Sequence, residues 1–268
     1  MVRTRYRTWE EKPMQFEETA DVYSKYCSDY PLALIETLIA QTGVKPGDHI
    51  LEVGAGSGKA TGMFADRGFH LTCVEPGQQL VAIARKTLHD KAGIDFIVSS
   101  FEDWPLQEAC FDLAFSAQAF HWVKKTVKYE KCARALKNNG CLALFWNIYV
   151  NDETAPVSEL SAVCKAYGVL SFLTAPEMEH EIQYNVREIE DSKLFHSPMV
   201  YTFSRVVRST ASDLINFLST GAGYQDLTPE SRKELDGKIT AIFDNHCGVI
   251  DRPIISALYL SEKITSDH

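Results

Sequence analysis

Three alternating glycines are the feature of this chain that points most directly to chemistry. Gly54, Gly56 and Gly58 follow the short apolar segment 50–53, and a helix-like segment begins directly after them. A strand, a glycine-rich turn and a helix in this order are typical of a nucleotide-binding loop. Glycine takes left-handed backbone angles and, lacking Cβ, lets a ligand lie against the main chain. We therefore predict a nucleotide-type ligand at this turn.

The spacing of the glycines separates the common nucleotide-binding loops. A dinucleotide fingerprint, GxGxxG, counted from Gly54 requires glycine at position 59, where the chain has Lys59. A phosphate-binding GxxxxGK[ST] loop requires glycine at 53 and Ser or Thr at 60, where the chain has Val53 and Ala60. Neither pattern is complete.

The pattern that remains places an acid two residues before the first glycine, as Glu52-x-Gly54-x-Gly56-x-Gly58. This sequence resembles the first motif of the class I S-adenosylmethionine-dependent methyltransferases. The resemblance covers residues 13–150 and weakens beyond them. It implies S-adenosyl-L-methionine as the cofactor, with Glu52, Gly54, Ala55 and Gly56 at its binding site.

A second acid, Glu75, is predicted at the tip of the next strand and is followed by Pro76. A carboxylate in this position accepts hydrogen bonds from both hydroxyls of a ribose. Ribose occurs in nicotinamide cofactors as well as in S-adenosylmethionine, so Glu75 alone does not distinguish them. We assign Glu75 and Pro76 to the cofactor site.

The loop after the third predicted strand contains Ser100, Phe101 and Glu102. By the same resemblance, this loop holds the adenine through a backbone amide, an acidic side chain and an apolar group. We assign these three residues to the cofactor, with Asp103 as the alternative acid. A solvated acidic loop is the other interpretation.

The loop after the fourth predicted strand should face the reacting groups, because ligands of open α/β sheets bind outside the carboxyl ends of the strands where strand order reverses. Ser116 and Ala117 are our cofactor-binding candidates there. His121 is the only histidine in a predicted active-site loop. It is our catalytic candidate, either as a general base or as a hydrogen-bonding group for the substrate, with a structural role as the alternative.

The same segment, from Phe111 to Val123, resembles the type 11 methyltransferases, which include enzymes that esterify small carboxylic acids. Trp122 in this loop and Trp146 in the fifth predicted strand are our candidates for substrate contact.

An aromatic pattern precedes the glycine turn. Phe16, Ala20, Tyr23 and the pair Tyr30-Pro31 match a leading helix that, in many small-molecule methyltransferases, folds over the methionine end of the cofactor. The chain has Cys27 and Ser28 where that pattern usually carries arginine and proline. Tyr23 is our candidate for the cofactor's sulfonium, since an aromatic face attracts a cation. Simple packing of the aromatic residues on the core is the alternative.

These residues require a scaffold, and the fold class we expect is α/β. We predict a Rossmann-like seven-stranded mostly parallel sheet flanked by helices, with a helical cap from the N-terminus and an insert after strand five. Residues 1–268 are expected to form a single methyltransferase domain. Within it, 13–150 form the cofactor-binding core, 151–195 the cap insert, and 196–268 the C-terminal strands and helices.

Several boundaries are predicted from turn and capping signals. A helix is expected over 123–137, ending in a turn at 138–140 before strand five at 141–147. Strand six is predicted over 199–207, followed by a helix that Ser212 or Asp213 opens. A further helix begins at the pair Thr228-Pro229 and runs to about His246, and strand seven covers 253–260.

Composition narrows the class of partners. The formal net charge is −9, and the only basic cluster is at the N-terminus, so we do not expect nucleic acid as a partner. No stretch is long and apolar enough for a signal peptide or membrane span, so we expect a soluble cytoplasmic protein with no membrane partner. The seven cysteines contain no CxxC, and we predict no metal site.

The function that these observations support is S-adenosylmethionine-dependent methyl transfer to a small-molecule acceptor, with a carboxylate or hydroxyl oxygen as the candidate atoms. Two alternatives remain at this stage. One is a catalytically silent S-adenosylmethionine-binding protein that acts through a partner. The other is a nicotinamide-dependent oxidoreductase.

Overall fold

A seven-stranded sheet is the centre of the protein. The structure, a computed structural model, describes residues 19–265, except for the side chain of Tyr23. The strand order is β3-β2-β1-β4-β5-β7-β6. The strands are β1 (His49–Val53), β2 (His70–Glu75), β3 (Ile94–Val98), β4 (Phe111–Ala117), β5 (Leu136–Tyr149), β6 (Met199–Ser209) and β7 (Ile250–Glu262).

The first five strands are parallel, and β7 runs antiparallel to both β5 and β6. The predicted Rossmann-like, mostly parallel sheet of seven strands is therefore confirmed. Strand order reverses between β1 and β4, because the chain builds outward on one side of β1 and then returns to its other side. This reversal opens a crevice at the carboxyl ends of the two strands.

Helices cover both faces of the sheet. The described helices are α1 (Ala20–Tyr26), α2 (Leu32–Thr42), α3 (Lys59–Phe64), α4 (Gln78–Thr87), α5 (Lys125–Ala135), α6 (Ala155–Tyr167), α7 (Ala175–Asp191), α8 (Ala211–Ser219), α9 (Ala222–Gln225) and α10 (Pro229–Asn245). A short 3₁₀ turn, Phe120–Trp122, follows β4.

Each face of the sheet has its own apolar core. On one face, α2 buries Leu34, Ile35 and Leu38 in a cluster with strand residues such as Ile50. On the other face, α5 and α7 pack over the sheet, and Tyr129 and Ile189 are among the buried side chains. Both cores hold the carboxyl ends of the central strands rigidly, which is where the site must form.

Strand β5 begins earlier than predicted, but its first residues are irregular. Helix α5 ends at Ala135, and Leu136 already pairs with Phe111 of β4. The next pair is Cys141 with Leu113, so residues 137–140 stand opposite a single residue of β4. A Cβ on Gly140 would lie 3.0 Å from the Leu136 Cβ, so the chain folds back where the turn at 138–140 is predicted.

The helix after β6 begins earlier than predicted. Thr210, rather than Ser212 or Asp213, is the N-cap of α8, and its Oγ1 accepts from the Asp213 amide at 3.2 Å. The Asp213 carboxylate in turn accepts from the Thr210 amide, which completes a capping box. The predicted helix opened by Thr228-Pro229 is confirmed as α10, which ends at Asn245.

The segment after β5 is helical, as expected for the predicted insert. Helix α6 packs against α10 in a third apolar cluster around Tyr149, and α7 buries Ile182 and Ile189 against the sheet. The role of residues 151–195 as a cap stays a prediction. Among the described residues, no helix combines the length and apolar character that a bilayer crossing requires.

Candidate active site

A cleft lies at the carboxyl ends of β1, β2 and β4, where strand order reverses. Small-molecule and cofactor sites are typically concave clefts at such a position. Its wall includes most of the residues that the sequence singled out. These are Glu52, Gly54, Ala55, Gly56, Glu75, Pro76, Ser100, Phe101, Glu102, Ala117 and Trp122.

The glycine turn forms one wall of the cleft. Gly54, Gly56 and Gly58 all have positive φ, at 76°, 56° and 81°, which is the left-handed region that favours glycine. A Cβ on Gly54 would stand 2.3 Å from the Cβ of Ala119 in the loop after β4. A larger residue would therefore push apart the two loops that enclose the cleft.

The Glu75 carboxylate is held in place by backbone amides. Oε2 accepts from the Gly56 amide and Oε1 accepts from the Gly77 amide, both at 2.9 Å. Glu75 is 4% exposed. A carboxylate oxygen can accept more than one hydrogen bond, so Glu75, fixed in the cleft wall, is a candidate acceptor for ligand hydroxyls.

Glu52 is fully buried at the end of β1. Its Oε2 accepts from the Thr61 hydroxyl at 2.5 Å and from the Cys73 thiol at 3.5 Å. Its Oε1 is buried and has no hydrogen-bond partner among the described residues, and the same is true of Ser57 Oγ. Burial raises the pKa of Glu52 to about 8. The cleft therefore contains two polar atoms whose hydrogen bonds are unmade.

The loop after β3 forms the next part of the wall. The Glu102 Oε1 accepts from the Lys124 amide at 2.8 Å, which joins this loop to the start of α5. Phe101 is buried and stacks on Trp104 with ring centres 5.9 Å apart. Asp103, the alternative acid, accepts from the Ser100 hydroxyl at 2.7 Å. The loop thus presents an apolar ring between two polar residues.

Two of the predicted residues lie beside the cleft without forming its wall. Ser116 is buried, and its hydroxyl donates to the Val53 carbonyl at 2.6 Å, which ties β4 to β1. Trp146 donates from Nε1 to Nδ1 of His121 at 3.3 Å, on the opposite face of the sheet from α2. These two hydrogen bonds connect β4 to β1 and the loop after β4 to β5.

His121 is held as a neutral imidazole. Burial, and then the positive charge of Lys128, lower its pKa to about 3. Trp122, the next residue, and Ala119, two residues earlier, line the cleft, whereas the wall does not include His121 itself. Any direct contact between His121 and the substrate stays a prediction.

A segment from the N-terminal side closes the cleft. Residues 27–30 connect α1 to α2, and we call this segment the strap. Cys27 and Tyr30 line the cleft, and Lys59 Nζ donates to the Cys27 carbonyl and to Asp29 Oδ1, both at 2.8 Å. The predicted contact of Tyr23 with the cofactor stays a prediction, because the Tyr23 side chain is outside the described part of the structure. Phe16 also lies outside the described residues.

Sequence reasoning missed several residues of this wall. In the sequence, Lys59 mattered only because it stands where the dinucleotide fingerprint requires glycine. In the structure, its side chain hydrogen-bonds to the strap. Gln118, with a left-handed φ of 57°, lines the cleft and accepts from the Asn147 amide at 2.7 Å. The positive φ has no sequence signal here, because glutamine rarely adopts it. The departure from the family pattern at Cys27 and Ser28 was the available hint that another group holds this segment.

The wall fits a nucleoside cofactor with a charged amino-acid end. Glu75 offers acceptors for ribose hydroxyls, and the buried Oε1 of Glu52 offers an acceptor that a cationic amino group would satisfy. Phe101 offers an apolar surface for a base. Within the described part of the chain, no group of three or more His, Cys, Asp or Glu side chains has the arrangement of a metal site.

Comparisons with known proteins agree with this geometry. Residues 51–144 match the model of a family described as a methyltransferase domain. An uncharacterised methyltransferase of Schizosaccharomyces pombe is 27% identical over 246 residues, which cover 88% of this chain and 92% of that protein. A malonyl-[acyl-carrier protein] O-methyltransferase of a Marinomonas strain is 24% identical, over 63% of this chain and 59% of its own.

The fold has similar relatives among solved structures. A Haemonchus contortus phosphoethanolamine N-methyltransferase in complex with phosphomonomethylethanolamine and S-adenosylhomocysteine has a TM-score of 0.55 at 13% identity, covering 98% of this chain and 61% of that one. Family, relatives and fold thus agree with the motif and the cleft. Residues 51–144 form a methyltransferase domain, and the protein is an S-adenosylmethionine-dependent methyltransferase.

Proposed function

We propose that this enzyme methylates an oxygen of a small carboxylic acid. The observation that carries the proposal is the state of His121 in the loop after β4. Its Nδ1 accepts from Trp146, so the proton of the neutral ring is on Nε2. A histidine in this state donates a hydrogen bond and is not poised to remove a proton.

The chemistry of the acceptor follows from the absence of that base. When bound, S-adenosylmethionine supplies a methyl group activated by the positive sulfonium, so its transfer to an ionised oxygen breaks one C–S bond, forms one C–O bond and moves no proton. A carboxylic acid is ionised at neutral pH, whereas an alcohol or an ammonium group must first lose a proton. The site therefore suits a carboxylate better than a hydroxyl group.

Residues of the cleft wall would hold the two reactants. Glu75 and Glu52 would bind the ribose and amino-acid ends of the cofactor, and Ser100, Phe101 and Glu102 its adenine. Trp122, with Trp146 behind it, would contact the acceptor. The remaining task of the chain is positioning, which alone can supply ~7–11 kcal/mol of barrier reduction when water is excluded.

One relative supports oxygen as the methylated atom. The Marinomonas protein is named as an O-methyltransferase that acts on malonyl-[acyl-carrier protein]. Free acids of small size are the acceptors we propose here. A cytoplasmic location without nucleic-acid or membrane partners is part of the same proposal, and the seven free cysteines are in keeping with a reducing compartment.

A labelled-methyl assay tests the proposal. Purified protein is incubated with S-adenosylmethionine carrying a labelled methyl group and with small carboxylic acids, each paired with the alcohol and amide of the same skeleton. We expect label in the acids only, as esters that release labelled methanol in mild alkali. The His121→Gln variant, which retains a donor, should keep most of this activity. Alkali-stable label in the alcohols, or loss of activity on acids in His121→Gln with S-adenosylhomocysteine binding intact, would contradict the proposal.

A further inference from the structure

Two arginines close to the cleft have guanidinium nitrogens without partners. Arg205 lies on β6 and Arg252 on β7. Arg205 Nε and Arg252 Nη1 are buried and form no hydrogen bond within the described part of the chain. Neither guanidinium has an ion-pair partner there, although the chain has a formal net charge of −9. Arg252 is buried and Arg205 is half-buried, and buried charges are normally paired, so the unpartnered nitrogens need an explanation.

The strand register places both arginines on one face of the sheet. Arg205 pairs with Ile254, which pairs on its other side with Tyr149 of β5. Arg252 is two residues from Ile254, so all three polar side chains point to the face covered by α2. The Arg252 guanidinium lies 5.7 Å from the centre of the Tyr149 ring. We call Tyr149, Arg205 and Arg252 the arginine cluster.

The neighbours of the cluster are neutral or already engaged. Arg252 donates from Nε and Nη2 to the Ser209 hydroxyl, at 3.1 and 2.8 Å. Asp213 is near, but its Oδ2 accepts from the Thr210 amide and hydroxyl at 2.9 and 2.7 Å in the cap of α8. Arg252 is only 4% exposed, and burial lowers its pKa. With two arginines and the nearby carboxylate of Asp213, the cluster keeps a net positive charge, and Arg252 is the member that is buried.

The strap contacts both the cleft and the arginine cluster. On one side, Cys27 and Tyr30 line the cleft. On the other side, Ser28 Oγ is 3.4 Å from the Tyr149 hydroxyl, and the Asp29 carbonyl accepts from Arg205 Nη2. An anionic group that replaced the Asp29 carbonyl would accept the hydrogen bond from Arg205 Nη2 beside the strap residues that line the cleft.

We propose that the arginine cluster is a subsite for a second anionic group of the acceptor, so that the substrates carry one anionic group here in addition to the carboxylate that is methylated. This inference rests on the proposed methylation of a carboxylic acid. Arginine suits the role, because its planar fork binds a carboxylate or phosphate through two parallel hydrogen bonds. The strap lifts from Arg205 as the anion enters, and the anion supplies the charge that the cluster lacks.

Binding of simple anions tests the subsite directly. Protein saturated with S-adenosylhomocysteine is titrated calorimetrically with succinate, with inorganic phosphate and with succinamide, which has the shape of succinate without its charges. We expect saturable binding of at least one anion and none of succinamide. Tighter binding of phosphate would identify the second group as a phosphate, and tighter binding of succinate would identify it as a carboxylate.

Three variants connect this binding to the cluster. Arg205→Gln and Arg252→Gln should each weaken anion binding at least tenfold, which corresponds to about 1.4 kcal/mol. Arg208→Gln is the matched control, because Arg208 is on the same strand, is exposed and pairs with Asp251 at 2.8 Å. Equal anion affinity in all three variants, or no preference of the wild type for anions over succinamide, would overturn the proposal.

Cofactor binding keeps the two proposals apart. Each variant is also titrated with S-adenosylhomocysteine, whose site does not include the arginines, and an unchanged affinity shows that the variant is folded. If Arg252→Gln does not fold, the test uses Arg205→Gln alone, because Arg205 is only half-buried. Failure of the methyl-transfer assay with intact anion binding would contradict the proposed function alone, whereas loss of anion preference with esters still formed would contradict the subsite alone.

Discussion

At the scale of single residues, the unusual group of the cleft is the Glu52 carboxyl. The sequence predicted its place in the motif, because the pattern of an acid before alternating glycines is local. The sequence did not predict that Oε1 is buried without a partner, since burial depends on Thr61, Cys73 and the surrounding core. Burial favours the protonated form of the carboxyl, which raises the pKa of Glu52 to about 8.

This preference makes stability depend on pH. The folded pKa of Glu52 lies above the ordinary 4.5, so the folded protein binds a proton that the unfolded chain has released at neutral pH. The contribution of Glu52 to stability is therefore complete below pH 4.5 and is lost as the pH rises towards 8. Glutamine is neutral like the protonated carboxyl, so the Glu52→Gln variant should not lose this stability as the pH rises.

We therefore predict that Glu52→Gln is more stable than the wild type at pH 8 by more than about 1.4 kcal/mol, the equivalent of one pKa unit. At pH values below the ordinary carboxyl pKa the two proteins should differ little. Urea unfolding at acidic and alkaline pH measures this difference. Glu36→Gln, at an exposed position of α2, is the control and should follow the wild type. Parallel pH profiles for Glu52→Gln and wild type would show that Glu52 is ionised in the folded protein.

At the scale of elements, sequence predicted those segments whose signals are local. The glycine turn, the acid at the tip of β2 and the Thr228 cap of α10 each depend on residues within a few positions. The strap was only partly predictable. Two of the residues that hydrogen-bond to it, Asn147 and Arg205, lie far away in sequence. They meet the strap because the carboxyl ends of β5 and β6 lie at the same end of the sheet.

The strap is also the element whose position is easiest to test. Lys59→Met removes both hydrogen bonds from Lys59 to residues 27 and 29 and retains the apolar stem of the side chain. The ion pair with Asp29 is partly exposed, so the free energy of global unfolding should change by less than about 1 kcal/mol. Amide hydrogen exchange in the strap should nevertheless become several-fold faster, because local opening needs less free energy.

Lys86→Met provides the comparison for this variant. Lys86 is an exposed residue of α4, so its loss removes a positive charge without touching the strap. Exchange in the strap should then match the wild type. If amide hydrogens of the strap exchange at the same rate in Lys59→Met and Lys86→Met, the Lys59 hydrogen bonds do not hold the strap in solution.

At the scale of the whole molecule, the site joins parts of the chain that are stabilised separately. The cleft takes residues from β1, β2, β4 and the strap, and α1 contacts both α4 and α8. The seven-stranded, mostly parallel sheet could be inferred from the resemblance, whereas the early start of β5 at Leu136 could not. The pairing of Leu136 with Phe111 of β4, which local sequence does not encode, decides that start.

Because cofactor binding involves so much of the fold, it should stabilise the whole protein. S-adenosylhomocysteine at a hundredfold excess over its dissociation constant should raise the free energy of unfolding by about 2.7 kcal/mol, since only the folded state binds it. Glu75→Ala removes the carboxylate that holds Gly56 and faces the cleft, and we expect at least tenfold weaker binding. At the same ligand concentration this variant should therefore lose about 1.4 kcal/mol of the stabilisation. Denaturant unfolding with and without ligand measures both values, and comparison of each protein with its own ligand-free state removes any intrinsic effect of the substitution. Equal stabilisation of wild type and Glu75→Ala would exclude Glu75 from the cofactor site.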